Sequence, residues 1–381
     1  MRIGLNGQKL LIKELAGPEV YTFNTYKAFT KLDQENEYVV YFEKKPSKEF
    51  WLSLSNHNSN FSYKVLPKNI SWTHINLAIE LFKNPIDVYF AANHTLPFFR
   101  PRKTKFVSMI HGLEYKVNKQ FYKNPLKLLI HPLLIWFVLF YSKVIIVPSK
   151  AVKKALSNGR WLFVRNNKIR IIHEGVDASF HKRSESEIKE VRKTYELGKH
   201  PYLFFVSTIQ PRKNIPRMVE AFSRVLRENT DLKDVLLVIS GKKGWLFEES
   251  LESPAKFGVK ENVRFLGFTP NEDLPILFSG SKYFISCSLE EGFGIPLLQA
   301  MACEKVGIVS DIPAFKELGR DLPFYVNPKN IESIKNGMVK ALTTPIDKNR
   351  ELKAKEISKY YTWEKGAQKL ITIFNSFFKH L

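Results

Sequence analysis

Thirteen short runs rich in β-branched and aromatic residues recur along the chain, with helix-forming stretches between many of them. In the first half they read "RIGLNG", "YVVYF", "SYKVLP", "DVYFAA", "KFVSMIH", "KVIIVPS" and "KIRIIHEG". In the second half they read "YLFFVST", "VLLVISG", "NVRFLGF", "KYFISCS", "VGIVSD" and "PFYVNP". Several are continuously apolar and do not alternate, which marks strands buried on both faces of a parallel sheet. Parallel neighbours need a crossover, and segments such as "IPRMVEAFSRVLREN" supply helices for it. Repeated over 381 residues, the pattern predicts an α/β chain of two tandem, doubly wound Rossmann-like domains. Polar and charged residues replace the strand pattern in "GVDASFHKRSESEIKE", which places the boundary near residue 180 and the domains at 1–180 and 181–381. The final "WEKGAQKLITIFNSFFKHL" is an amphipathic helix with no strand after it, expected to pack back across the junction.

Composition narrows the function classes. Apolar residues form 44% of the chain, a globular proportion. Two cysteines, Cys287 and Cys303, exclude a disulfide framework and a cysteine-rich zinc site; both are expected to pack as small hydrophobes. The opening "MRIGLNGQKLLIKELAG" lacks a signal-peptide core, so a cytoplasmic location is expected. The net charge of +22 is unevenly placed: residues 100–170 hold sixteen Lys or Arg against one acid, Glu114. The same segment holds "LLIWFVLF" (133–140), well short of the roughly 20 residues that a membrane span needs. A buried helix is the simplest reading, and a basic face beside apolar side chains also suits an anionic membrane. Lys116, Lys119, Lys123 and Lys127 would share one helical face there, with Phe121 and Leu126 as apolar neighbours. No nucleic-acid-binding motif accompanies the charge, and nucleic acid is not expected as a partner.

The densest motif is "SLEEGFGIPLLQAMA" (288–302), which follows the strand "KYFISCS". Ligands of open parallel sheets bind beyond the carboxyl ends of the strands. Gly292 and Gly294 allow close backbone approach, and a helix beginning near Pro296 aims amides at an anion. Glu291 on the loop and Gln299 in the helix could each hold hydroxyls, with phosphate between them; a nucleotide-sugar has that order of groups. A second strand end, "STIQPRKN", offers Arg212 and Lys213 to a diphosphate. "SGKKGWLFEE" and "FLGFTPNEDL" are further strand ends of the same half.

These phrases resemble the retaining glycosyltransferases of family four (glycosyl transferases group 1), which have the two-domain GT-B architecture. "EGFGIPLLQAMAC", "PRKN", "GKKGW" and "FLGF" stand in that family's usual order, and "GLNG…AGPEVYTFNTYKAF", "MIHGLEY" and "VPSKAVKKAL…IRIIHEGVD" resemble its first half more loosely. The resemblance implies that Glu291 contacts donor-sugar hydroxyls and Gln299 the ribose. The amides of Gly292, Phe293 and Gly294 would reach the distal phosphate or the sugar. Arg212 and Lys213 would grip the diphosphate, the backbone around Gly267 would meet the base, and His111 would lean over the sugar. Three positions depart from the family's pattern: Gln299 replaces its second acid, Glu304 and Val306 replace a glycine and a proline, and Gly112 replaces an aspartate. A glutamine can still donate to one hydroxyl and accept from another, so retuned ribose binding is expected.

The expected activity is retaining transfer of a sugar from a nucleoside diphosphate to a hydroxyl of a glycan or lipid-linked saccharide. "GKKGWLFEE" leans faintly toward GDP-mannose as donor. No Asp-x-Asp occurs in the chain, so neither a metal nor another cofactor is expected. Other readings are a sugar-nucleotide epimerase or phosphorylase on the same fold, or a basic nucleic-acid- or membrane-binding protein with a degenerate site.

Overall fold

The computed structural model describes residues 1–12, 14–67, 71–113, 125–157 and 166–378, with backbone alone at 125–129, 131 and 166. The chain forms two compact units, Met1–Gly175 with Thr362–Leu381, and Val176–Tyr361.

In the first unit seven parallel strands form one sheet: β1 (Arg2–Asn6), β2 (Glu37–Phe42), β3 (Phe61–Val65), β4 (Val88–Ala91), β5 (Lys105–Met109), β6 (Val144–Val147) and β7 (Ile169–Ile171). Their order is β3-β2-β1-β4-β5-β6-β7, so the direction of winding reverses between β1 and β4. β4 is buried along its whole length, as its unbroken apolar sequence requires. The helix Gly17–Leu32 returns the chain from β1 to β2 and packs against the last helix, Trp363–Ser376. Phe374 of that last helix stands 5.9 Å from the Phe29 ring and 5.8 Å from the Phe90 ring. Gly175 meets the same helix so closely that a Cβ would lie 2.3 Å from the Trp363 nitrogen, which explains the glycine of "EGVD".

The division differs from the expected one. The units part at Gly175/Val176, and residues 362–381 belong with the first unit instead of the expected 181–381 domain. The apolar stripe of the terminal helix, with Ala367, Leu370 and Phe374 buried, is the physical cause. It has to be covered, and the aromatic face of the first unit covers it.

The second unit is a six-stranded parallel sheet of β8 (Tyr202–Val206), β9 (Leu236–Ser240), β10 (Val263–Gly267), β11 (Tyr283–Ser286), β12 (Gly307–Ser310) and β13 (Phe324–Val326), ordered β10-β9-β8-β11-β12-β13. Each of the thirteen runs singled out in the sequence coincides with one strand to within a residue or a few at its ends. Both sheet faces are buried: Leu203, Phe205, Leu237 and Ile285 enter one core, and Phe204, Val238 and Phe284 the other. Cys287 and Cys303 are free and buried, and burial pushes both thiols up to about 12. The sheet winds toward β9 and β10 on one side and toward β12 and β13 on the other. Its reversal point therefore lies between β8 and β11, where the chain leaves two adjacent strands in opposite directions and opens a crevice.

Candidate active site

The two loops that leave β8 and β11 meet above that crevice. After β8 the chain forms a single 3₁₀ turn, Pro211–Lys213, before the helix Ile215–Glu228. Proline opens the turn, and Asn214 closes it in the left-handed region with φ of 59°. The Leu289 amide donates to the Arg212 carbonyl at 2.8 Å, and an Arg212 Nη donates to the Glu290 carbonyl at 3.2 Å. These bonds fix both loops against each other and bring three charges together. Glu291 accepts from Lys213 Nζ at 2.6 Å through one carboxylate oxygen and from Arg212 at 3.0 Å through the other. The three side chains are only 11%, 5% and 14% exposed for Glu291, Lys213 and Arg212. Burial raises the Glu291 carboxyl, but Lys213 and then Arg212 overrule it and hold the group at about 2. These three side chains sum to one positive charge in a water-poor setting, where attraction for an anion is less screened than at the surface.

Beside the cluster starts the helix Ile295–Ala302, with Gly294 at its N-cap and φ of 107°. Its N-cap glycine has no side chain to cap it and no acid sits in its first turn, so the helix end favours an anion beside it. Gly294 is glycine for two structural reasons as well. Its backbone is in the left-handed region, and a Cβ would lie 2.8 Å from the Phe315 ring. Gly292 lies in the loop between Glu291 and this cap. Phe293, expected only as an amide, is 2% exposed and packs its ring 5.5 Å from Tyr361. Gln299 is half-buried in the helix, and among the described residues no hydrogen bond is formed to its side-chain amide.

At the neighbouring strand ends, Gly241 touches the loop after β8 so closely that a Cβ would lie 1.7 Å from the Ser207 carbonyl oxygen. Ser240 donates to Thr269 at 2.7 Å, and Gly267 is exposed with φ of 71° where the β9–β10 register shifts. The exposed ring of Phe268 follows it. Trp245 of "GKKGW" donates from its indole to Gln210 at 2.9 Å, linking this strand end to the one that carries Arg212 and Lys213.

Two positioning residues carried little signal in the sequence. Asn214 is buried and donates to the carbonyls of Cys287 at 3.0 Å and Pro328 at 2.7 Å, tying three loops together. Its only mark was its place after "PRK", where an Asn tolerates the left-handed conformation. Glu304, in the family's glycine position, adopts φ of 58° and is held there by Lys355 at 2.7 Å and Lys182 at 3.3 Å.

His111 belongs to the first unit, past the end of β5, and both of its ring nitrogens are engaged. Nε2 lies 2.9 Å from the Ala92 carbonyl and Nδ1 lies 3.0 Å from the carboxylate of buried Glu174. A carbonyl only accepts, so the hydrogen bond to Ala92 places a hydrogen on Nε2. A contact between either nitrogen and a sugar would require one of these bonds to be exchanged. Gly112 beside it has open space where a Cβ would stand. Glu174 was missed as the partner of His111 because 63 residues separate the two. Glu114, Lys116, Lys119, Phe121 and Lys123 lie outside the described residues, and only the backbone is described at Leu126 and Lys127.

Residues 15–180 match the family described as Glycosyltransferase Family 4, and residues 187–359 match Glycosyl transferases group 1. The O-antigen chain mannosyltransferase B of Escherichia coli is 29% identical over 196 residues, 50% of this chain and 50% of its own. The O-antigen chain mannosyltransferase RfbU of Salmonella typhimurium is 26% identical over 245 residues, 63% of this chain and 61% of its own. The chain therefore spans about half to three fifths of the length of these two relatives. Among solved structures, sucrose-phosphate synthase from Thermosynechococcus elongatus superposes with a TM-score of 0.78 at 16% identity, covering 100% of both chains. Anabaena HepE in complex with UDP and glucose superposes with a TM-score of 0.76 at 15% identity, over 99% of this chain and 100% of that one. Two family matches that follow one another along the chain, on two parallel-sheet units of the GT-B type, make this protein a member of the family 4, group 1 glycosyltransferases.

Proposed function

We propose that the protein transfers a sugar, with retention of configuration, from a nucleoside-diphosphate sugar to a hydroxyl of a glycan or lipid-linked saccharide. The observation that carries this reading is the largely buried Glu291–Arg212–Lys213 cluster at the β8/β11 reversal point, next to a helix N-terminus with glycine at its N-cap. Two cations and a row of amides suit a diphosphate, and a carboxylate between them suits sugar hydroxyls. The mannosyltransferase relatives favour a mannose donor, in line with "GKKGW".

In this reading the bond between the anomeric carbon and the distal phosphate oxygen breaks, and its electron pair leaves with the diphosphate. Arg212, Lys213 and the helix amides stabilise that charge as it develops. Glu291 exchanges its cations for the sugar, where its own charge favours the oxocarbenium character. The acceptor oxygen bonds the same face of the anomeric carbon and passes its proton to the departing phosphate, so no protein nucleophile and no metal is required. The acceptor is assigned to the first unit and is membrane-associated, with that unit resting on an anionic surface.

The test is a panel of nucleotide-sugars incubated with the protein and a membrane extract as acceptor source. Labelled sugar should pass to a glycan or lipid fraction from one donor, with GDP-mannose favoured. Epimerised donor, a sugar phosphate, or no reaction with any donor would refute the transferase reading.

A further inference from the structure

The helix Pro125–Tyr141 is 17 residues long and has Lys127 as its only formally charged residue. A helix apolar all round belongs in a core. This one is buried on one side only. Ile135, Val138 and Leu139 enter the core of the first unit, while Leu133, Trp136 and Phe140 are 60%, 40% and 56% exposed. The expected buried helix is thus half-buried, with a second apolar face turned outward. That face continues onto its neighbours. Phe98 packs 5.1 Å from Phe137, and Phe99 next to it is 76% exposed. His74 stacks on Phe98 at 3.9 Å, and the helix that follows its segment, Ala78–Lys83, carries exposed Ile79 and Phe82.

We infer that this aromatic face, led by Leu133, Trp136 and Phe140, is where the protein inserts shallowly into an anionic lipid bilayer. An exposed apolar patch of this kind marks an interaction surface. Charge selects the partner. Exposed Arg102, Lys103 and Lys143 neighbour the patch in sequence, and Arg100 stacks on Tyr141 at 3.4 Å. Residues 100–170 carry sixteen cations against one acid. Apolar and aromatic side chains rimmed by cations suit the boundary between acyl chains and anionic headgroups. Among the described residues no helix is long and apolar enough to cross a membrane, so the helix lies on the bilayer.

This inference rests on the membrane part of the proposed function and assigns it a surface. The experiment is flotation of the full chain with phosphatidylcholine vesicles, with and without phosphatidylglycerol, at low and high salt. The wild type and a Leu133→Ser/Trp136→Ser/Phe140→Ser variant are compared, with nucleoside-diphosphate binding of both followed by calorimetry. The expected result is binding to anionic vesicles that falls about tenfold or more in the variant, with nucleotide affinity unchanged. Trp136 fluorescence, isolated as the difference between wild type and Trp136→Phe, should be quenched by brominated lipid in wild type, a readout that needs no triple variant. Anionic-vesicle binding that survives the triple substitution, with no Trp136 quenching, would overturn this face while leaving membrane association standing. No vesicle binding by the wild type, or a dimer that the triple substitution dissociates, would overturn it as well. In either case normal nucleotide binding would leave the transferase reading intact.

Discussion

Replacing Glu291 by Gln should have two effects of opposite sign, and their size follows from the charge cluster. The carboxylate is held at about 2 against an ordinary 4.5. That gap corresponds to roughly 3 kcal/mol at about 1.4 kcal/mol per tenfold change. Breaking a buried ion pair from one side typically costs about 3–5 kcal/mol, which gives the same scale. The glutamine keeps shape and one acceptor but withdraws the carboxylate charge from two nearly buried cations. Urea unfolding at pH 7, followed by circular dichroism, should therefore show a loss of roughly 3 kcal/mol. Because the folded carboxyl titrates lower than the unfolded one, its contribution is complete above about pH 4.5 and fades only as the pH falls toward about 2. Most of the difference should persist at pH 4. The same substitution removes the carboxylate's competition for Lys213 and Arg212, so calorimetry should find tighter binding of the nucleoside diphosphate. Equal stability of wild type and variant at pH 7, or a difference already gone at pH 5, would refute the coupling of Glu291 to both cations.

Lys213→Ala should weaken nucleoside-diphosphate binding by about 2 kcal/mol, the scale of one charge-assisted contact, as measured by calorimetry on folded protein. In transfer assays Glu291→Gln should lose far more activity than Gln299→Glu, because in the proposed mechanism a full charge at 291 would face the reacting sugar while position 299 would only grip ribose. Transfer should continue in excess EDTA; loss of activity that manganese restores would point to a metal in place of the cations. Gly294→Ala should lower the stability by roughly 1–3 kcal/mol, since φ of 107° and the Phe315 ring both oppose a side chain there, and thermal unfolding would show it.

Much of the candidate site's layout was legible because its parts are local. A cation pair after one strand and a Glu-Gly-Phe-Gly turn after another are each contiguous, and strand-end loops are where such sheets bind ligands. Long-range pairing was harder to read. Lys213 and Glu291 are separated by 78 residues, and nothing in either segment says that a carboxylate will sit on the cations. His111 looked free in sequence, while in the fold Ala92 and Glu174 occupy both of its nitrogens. Gly294 looked like a concession to a ligand, yet Phe315, reached only through packing, already forbids a side chain there.

The class of fold, and the strand ends whose loops form the candidate site, are written locally in the chain. Hydrophobic periodicity and turn residues act within a few positions, and the chain spells them out directly. Tertiary structure decided the strand order and the reversal point between β8 and β11. It also assigned the last helix to the first unit and left one face of the helix Pro125–Tyr141 uncovered. Each of these depends on which surfaces cover which, a competition among segments far apart in the chain. A run such as "LLIWFVLF" has the same local preference whether a core covers one of its faces or both. Only packing shows that Ile135, Val138 and Leu139 are covered while Leu133, Trp136 and Phe140 stay exposed.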